Sequence, residues 1–215
     1  MQFQPAVPTD VFRDLLPTLV FFGMATPHCL VLGGPNGAGK STLAPVLLSR
    51  AVGIRHFVNA DVIARGLSGF APEAAALEAG KTMLRRLDEL AARRESFAFE
   101  STLSARSFAP WLQKLRESGY HVAIGFVWIA SVDLAIQRVA HRVRLGGHGI
   151  PPDDIRRRYG RCIANFHELY RPLADTWEVY DNTQPPPRLI AFGGNHALQV
   201  LVPATWELIL TGDHA

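Results

Sequence analysis

Residues 33–42 read Gly-Gly-Pro-Asn-Gly-Ala-Gly-Lys-Ser-Thr, and Gly34, Gly39, Lys40 and Ser41 complete the phosphate-loop spacing G-x-x-x-x-G-K-[ST]. Gly34, Pro35, Asn36, Gly37, Ala38 and Gly39 would turn successive backbone N–H groups onto phosphate oxygens, and Thr42 closes the loop. Lys40 would neutralise charge on the β- and γ-phosphates, and the Ser41 hydroxyl would ligate Mg²⁺. These residues point to binding of a nucleoside triphosphate. A phosphate loop must join a buried strand to a helix, and its flanks supply both: the apolar run 28–32 and a helical stretch over 43–51. Pro45 falls late for a first-turn proline and is expected to remove a hydrogen bond or bend that helix.

Phosphoryl transfer also needs a group that orients or deprotonates the attacking oxygen, together with positive charge on the migrating group. The apolar strand 121–129 ends without a carboxylate, so the candidate acids are those that end two other short runs, Asp61 and Glu100. Asp61 follows the run 56–58 and is read either as the general base that takes a substrate proton or as the N-cap of a helix opening at Val62. Glu100 follows Phe97-Ala98-Phe99, where a carboxylate must find a cation, a hydroxyl or a hydrated metal. It is assigned with Ser41 to the metal, or to the substrate hydroxyl, with Ser101 and Thr102 as neighbouring substrate contacts.

Seven arginines, Arg138, Arg142, Arg144, Arg156, Arg157, Arg158 and Arg161, fall on two predicted helices that flank Gly146-Gly147-His148-Gly149. Arg138 and Arg142 share one helix face, and Arg158 and Arg161 share another. Two such faces joined at a glycine hinge make a lid that closes over a triphosphate, with a solvated basic surface as the alternative.

The elements that must hold these groups alternate. Helices are predicted over 72–94, 108–118, 132–145 and from Asp153 or Asp154 to Tyr170, and strands over 56–58, 97–99, 121–129 and 179–180. Ser131 is the expected N-cap of the third helix and Gly119 the C′ residue of the second. Residues 188–192 and 197–202 are expected to pair as a hairpin around Gly193-Gly194-Asn195. The fold class is therefore α/β: a three-layer α/β/α arrangement of the P-loop NTPase and kinase kind, with a mainly parallel sheet and an arginine-rich helical lid.

The 215 residues, 48% hydrophobic and 19% charged, suffice for one domain. We divide them into an N-terminal extension over 1–26, with a helix or partly ordered segment at 10–24, a kinase-like domain over 27–184, and a strand-hairpin appendage over 185–215 on the same domain. The segment 15–25 is apolar but broken by Pro17 and too short to span a bilayer, so no membrane association is expected. The formal charge of +3 is concentrated in the arginine stretch rather than spread as a nucleic-acid coat. There is no N-K-x-D guanine motif, no aromatic platform among the arginines and no obvious regulatory domain, which argues against an NTP-dependent switch protein or a nucleic-acid partner. Cys29 and Cys162 lack metal-ligand spacing and suit a reducing cytoplasm.

Five segments in this order, GGPNGAGKST at 33–42, NADVIA at 59–64, FESTLS at 99–104, RVAHRVRLGGHGIPPDDIRRRYGR at 138–161 and YDN at 180–182, resemble the zeta-toxin family of phosphate-loop kinases, in its compact bacterial branch. The resemblance covers most of the chain from Cys29 to Asn182. It implies transfer of the γ-phosphoryl group of ATP, with Mg²⁺, to a hydroxyl of a UDP-amino sugar, typically the 3′-hydroxyl of UDP-N-acetylglucosamine's sugar, and a separate antitoxin protein as partner. It matches Lys40 and Ser41 to the phosphate and metal contacts and Asp61 to the catalytic base. Glu100 and Thr102 match the substrate-contact strand end, and Arg142 the first lid arginine. Where larger members carry a second lid arginine this chain has His148, a candidate substrate contact, so Arg157 or Arg158 takes the arginine's place. A phosphotransferase acting on another metabolite or antibiotic hydroxyl, and a non-kinase NTP-dependent binding or switch protein, are the alternative readings.

Overall fold

The computed structural model describes residues 26–51, 53–69, 74–147, 149–194 and 197–211. The expected helix at 10–24, His148 and Asn195 lie outside the described residues.

Strand β1 (His28–Gly33) is buried along its whole length and runs through the loop into helix α1 (Lys40–Arg50), three residues ahead of the expected start at 43. Pro45 lies inside α1 beyond the first turn, where it withholds one backbone donor without ending the helix. Next come β2 (His56–Val58), α2 (Ala60–Leu67) and the long α3 (Ala76–Ala92), followed by β3 (Phe97–Glu100). Helix α3 buries Ala79, Met83, Leu87 and Leu90 along one stripe and leaves its charged residues outside, the pattern that an amphipathic surface helix requires.

Helix α4 (Phe108–Glu117) ends in a Schellman motif. Gly119 takes φ 89°, its N–H bonds Arg116 O at 2.9 Å, and the N–H of Tyr120 bonds Leu115 O at 3.1 Å. Strand β4 (His121–Trp128) leads to α5 (Val132–Arg144), whose cap Ser131 accepts from Leu134 N. Helix α6 (Pro152–Asn165) stops short of the expected Tyr170. The chain widens into a π turn over Phe166–Tyr170 and tightens into a 3₁₀ turn over Arg171–Leu173. The wider turn buries both Phe166 and Tyr170, with Phe166 stacked on Phe126 at 4.1 Å, and Pro172 then lacks the donor that a continuing helix needs.

The last elements are β5 (Thr176–Asp181), β6 (Arg188–Gly194), β7 (Ala197–Val200) and α7 (Pro203–Thr211). All seven strands form one sheet in the order β2-β3-β1-β4-β5-β6-β7. The first five are parallel and the hairpin β6–β7 adds antiparallel. The sheet is thus mainly parallel, and β6 extends it rather than forming a separate unit. Helix α7 corrects the expectation of a hairpin alone at the C-terminus: Trp206 is buried and stacks on Trp177 of β5 at 5.8 Å with ring planes 9° apart. Among the described residues no helix is long and apolar enough to cross a membrane.

Candidate active site

The parallel strands deliver their C-terminal ends to one edge of the sheet, where ligands bind in α/β folds of this kind. The phosphate loop follows β1 there. Gly34, Gly37 and Gly39 hold φ of 142°, 75° and 89°, a region closed to most side chains. Space enforces the same choice, because a Cβ on Gly37 would stand 2.6 Å from Ala135 O. Lys40 is 6% exposed, and its ammonium donates to Gly34 O at 2.8 Å and Pro35 O at 2.9 Å. Burial lowers its pKa, while the charge of Glu100, 3.8 Å away, and more weakly that of Asp61 hold it up.

Glu100 ends β3, the strand paired beside β1, with Leu32 opposite Glu100 in register. Its Oε2 accepts from Ser41 Oγ at 2.8 Å and from Asn59 Nδ2 at 2.7 Å. The carboxylate that a phosphate-loop protein needs at a strand end therefore stands on β3, where it meets the cation and the hydroxyl expected of it. Asn59 is a residue that sequence reasoning missed. It is buried, and it caps α2 by accepting from Asp61 N at 2.8 Å and Val62 N at 3.1 Å while its amide nitrogen serves Glu100. The available signal was an Asn just before an acidic first turn.

The cap reading of Asp61 is thereby corrected. Asp61 lies in the first turn of α2 with its side chain exposed, and it lines the same cleft as Lys40 and Glu100. That cleft, of about 1270 Å³, runs from the phosphate loop to α3 and reaches Ser101 and Thr102. Both hydroxyls also fix the turn after β3: Ser101 Oγ accepts from Leu103 N at 3.1 Å, and Thr102 Oγ1 lies 2.8 Å from Ser104 Oγ.

The arginines divide. Arg142 and Arg158 line the cleft, and Arg158 also stands 3.5 Å from Asp154. Arg156 and Arg157 pair with Asp153 and Asp154 on the surface of their own helix. Arg138 lines the cleft as well, and its guanidinium donates to Asn182 O and Thr183 O, both at 2.8 Å, which ties α5 to the segment after β5. The glycine pair also has a capping role. Gly146, with φ 82°, and Gly147 end α5 in a Schellman motif, their N–H groups bonding Val143 O and Arg142 O at 2.9 Å each. Asn182, the last residue of the Tyr-Asp-Asn segment, reaches across to the phosphate loop and donates to Ala38 O at 2.7 Å.

Cys29 and Cys162 are buried free thiols. Burial pushes the Cys162 pKa up to about 12, against the pull of nearby Lys40 and a hydrogen bond from the Gly34 backbone. The donor set around Ser41 and Glu100 consists of hard oxygens, and the cleft opens beside them, so these residues fit Mg²⁺ with a polyphosphate.

No protein-family model matches the chain. An uncharacterized protein of Haemophilus influenzae is 29% identical over 126 residues, which is 59% of this chain and 88% of that protein. Among solved structures, the chain is similar to one of AvrRxo1-ORF1:-ORF2 with ATP, with a TM-score of 0.69 and 16% identity over 86% of this chain. It spans only 63% of that longer chain. It is also similar to a chain of the PezAT chromosomal toxin-antitoxin system of Streptococcus pneumoniae, with a TM-score of 0.60 and 18% identity, covering 86% of this chain and 78% of that one. The chain shares the fold of these solved structures.

Proposed function

We propose that this chain is a phosphotransferase that moves the γ-phosphoryl group of ATP to a hydroxyl of a small molecule, a UDP-amino sugar of the UDP-N-acetylglucosamine type. The observation that carries the kinase reading is the placing of two carboxylates, Asp61 and Glu100, in the same cleft as the phosphate-loop lysine. A switch protein needs the lysine and the loop but has no use for a base beside an acceptor.

In the reaction, Lys40 turns from the Gly34 and Pro35 carbonyls to the phosphate oxygens, an exchange of hydrogen-bond acceptors for a charge that is already buried. Ser41 and Glu100 would hold Mg²⁺, which when bound neutralises charge on the β- and γ-phosphates. Asp61 takes the acceptor's O–H proton as that oxygen bonds to the γ-phosphorus and the bond to the ADP oxygen breaks. Arg142 and Arg158 spread positive charge over the migrating group. Ser101 and Thr102 orient the acceptor; His148 is a further candidate contact.

ATP as donor is supported by the likeness to a structure holding ATP. A separate antitoxin protein as partner is supported by the likeness to a chain of the PezAT toxin-antitoxin system. The UDP-amino sugar rests on the five sequence segments alone, and a cytoplasmic setting on the use of ATP.

The test is a phosphoryl-transfer assay with ATP and Mg²⁺ against UDP-sugars, nucleosides and aminoglycoside-like acceptors. ADP release that depends on a UDP-amino sugar, with one phosphate gained by that sugar, is the expected result. Turnover on another acceptor class would keep the kinase and replace its substrate. Salt-dependent binding of RNA or DNA without ATP consumption would overturn both.

A further inference from the structure

We infer that Asn182 is a positioning residue for nucleotide binding: by holding the Ala38 carbonyl from the β5 side, it aims the next peptide N–H, that of Gly39, into the phosphate cradle. The inference rests on the nucleotide-binding reading of the loop and is independent of which acceptor is used.

A trans peptide is planar, with its C=O and N–H pointing in opposite directions. Fixing the carbonyl of Ala38 therefore fixes the direction of the Gly39 N–H. Asn182 Nδ2 donates to Ala38 O at 2.7 Å, a contact between residues 144 apart in sequence. On the other side of that peptide, Gly39 lines the cleft. Gly39 holds φ 89°, and a Cβ there would collide with the Asn182 amide, so the glycine admits the clamp as well as the turn. A loop of glycines is soft, and an external hydrogen bond that removes one peptide's freedom lowers the entropy lost on binding.

Asn182 is itself held on both flanks through its backbone. Its N–H bonds Trp128 O at 2.8 Å, and its carbonyl accepts from Arg138 at 2.8 Å. The neighbouring Thr183 carbonyl takes the other arm of Arg138, and Thr183 Oγ1 accepts from Ala130 N at 3.0 Å. These contacts do not use the Asn182 side chain. Replacing it removes the clamp and leaves the frame around it.

The experiment is calorimetric titration of the full chain, as Asn182→Ala and Asn182→Leu, with ATP plus Mg²⁺ and separately with inorganic tripolyphosphate plus Mg²⁺. Leu keeps the branched four-atom shape of the side chain without its donor, and it also serves where Ala folds poorly. Both variants should weaken both ligands about fivefold, the worth of one hydrogen bond. Equal loss on tripolyphosphate, which has no base, assigns the effect to the phosphate cradle, and a role in packing alone would let Leu restore affinity. Unchanged affinity, rescue by Leu, or loss for ATP only would each overturn the inference. Failure of the unsubstituted chain to bind either ligand would overturn the nucleotide reading itself, and this inference with it.

Discussion

Lys40, Asp61 and Glu100 share one cleft but differ in how firmly each is held. Lys40 is buried and bound to two carbonyls, Glu100 is locked by Ser41 and Asn59, and Asp61 stands exposed in the first turn of its helix. That difference suits a fixed donor site and a base that must meet an incoming hydroxyl. Lys40→Ala should lower ATP-dependent turnover by about two to three orders of magnitude, the scale for loss of a preorganised charge contact, and should weaken ATP binding in the same titration. Asp61→Asn should leave ATP affinity near its original value while kcat falls by about 10²–10⁴-fold, because an amide cannot take the proton. Near-full turnover by Asp61→Asn would remove Asp61 from the reaction. His121, at the start of β4, gives a pH signature of its own. Burial first, and Arg116 more weakly, lower its pKa below the ordinary 6.5, against a raising pull from Asp175. The unfolded chain therefore takes up this proton before the folded one does, so the stability held above about pH 6.5 is lost as pH falls through the lowered value. Thermal unfolding between pH 8 and pH 5 should show a smaller decline for His121→Gln than for the original chain.

Helices α3 and α5 illustrate what glycine does within an element. Gly80 lies inside α3 and lines the cleft, and a Cβ built there meets nothing within 4 Å. Gly80→Ala should therefore stabilise the fold by about 0.5–1 kcal/mol, seen as a higher midpoint in denaturant unfolding. Gly147 is the opposite case, since its Cβ would stand 2.6 Å from Arg142 Cγ and 2.9 Å from Arg142 O. Gly147→Ala should displace Arg142 and lower kcat by about tenfold while ATP affinity changes little, in keeping with a contact that matters most as charge shifts in the reaction. The ends of α4 and α5 were legible because Gly119, Ser131 and Gly146 act on residues within one turn. The end of α6 was not, since it is set by the burial of Phe166 against Phe126 and of Tyr170 beside Ala105, contacts with distant segments. Helix α7 was hidden for the same reason: its apolar residues show little helical stripe until Trp206 meets Trp177.

The described residues are built on one sheet, and α7 covers it over β5 and β6. Trp177 and Trp206 stack there, and Arg171 lies 5.6 Å and 5.7 Å from their rings. Trp206→Ala empties a buried site 5% exposed, and should cost about 3–5 kcal/mol of stability, read as a lower thermal midpoint. The sequence alone determined the phosphate loop, the strand–helix alternation and the two candidate acids that follow short apolar runs, because each depends on residues a few positions apart. Only the tertiary structure decided which polar groups meet. Glu100 joins Ser41 across 59 residues because β3, and not β2 that follows β1 in the chain, pairs beside β1 in the sheet. Asn59 takes the cap that Asp61 could have filled, and Arg138, which lines the cleft, also holds the segment that carries Asn182. Those choices depend on strand order and on the cost of leaving a buried polar group unpaired, and neither is a property of any short stretch of chain.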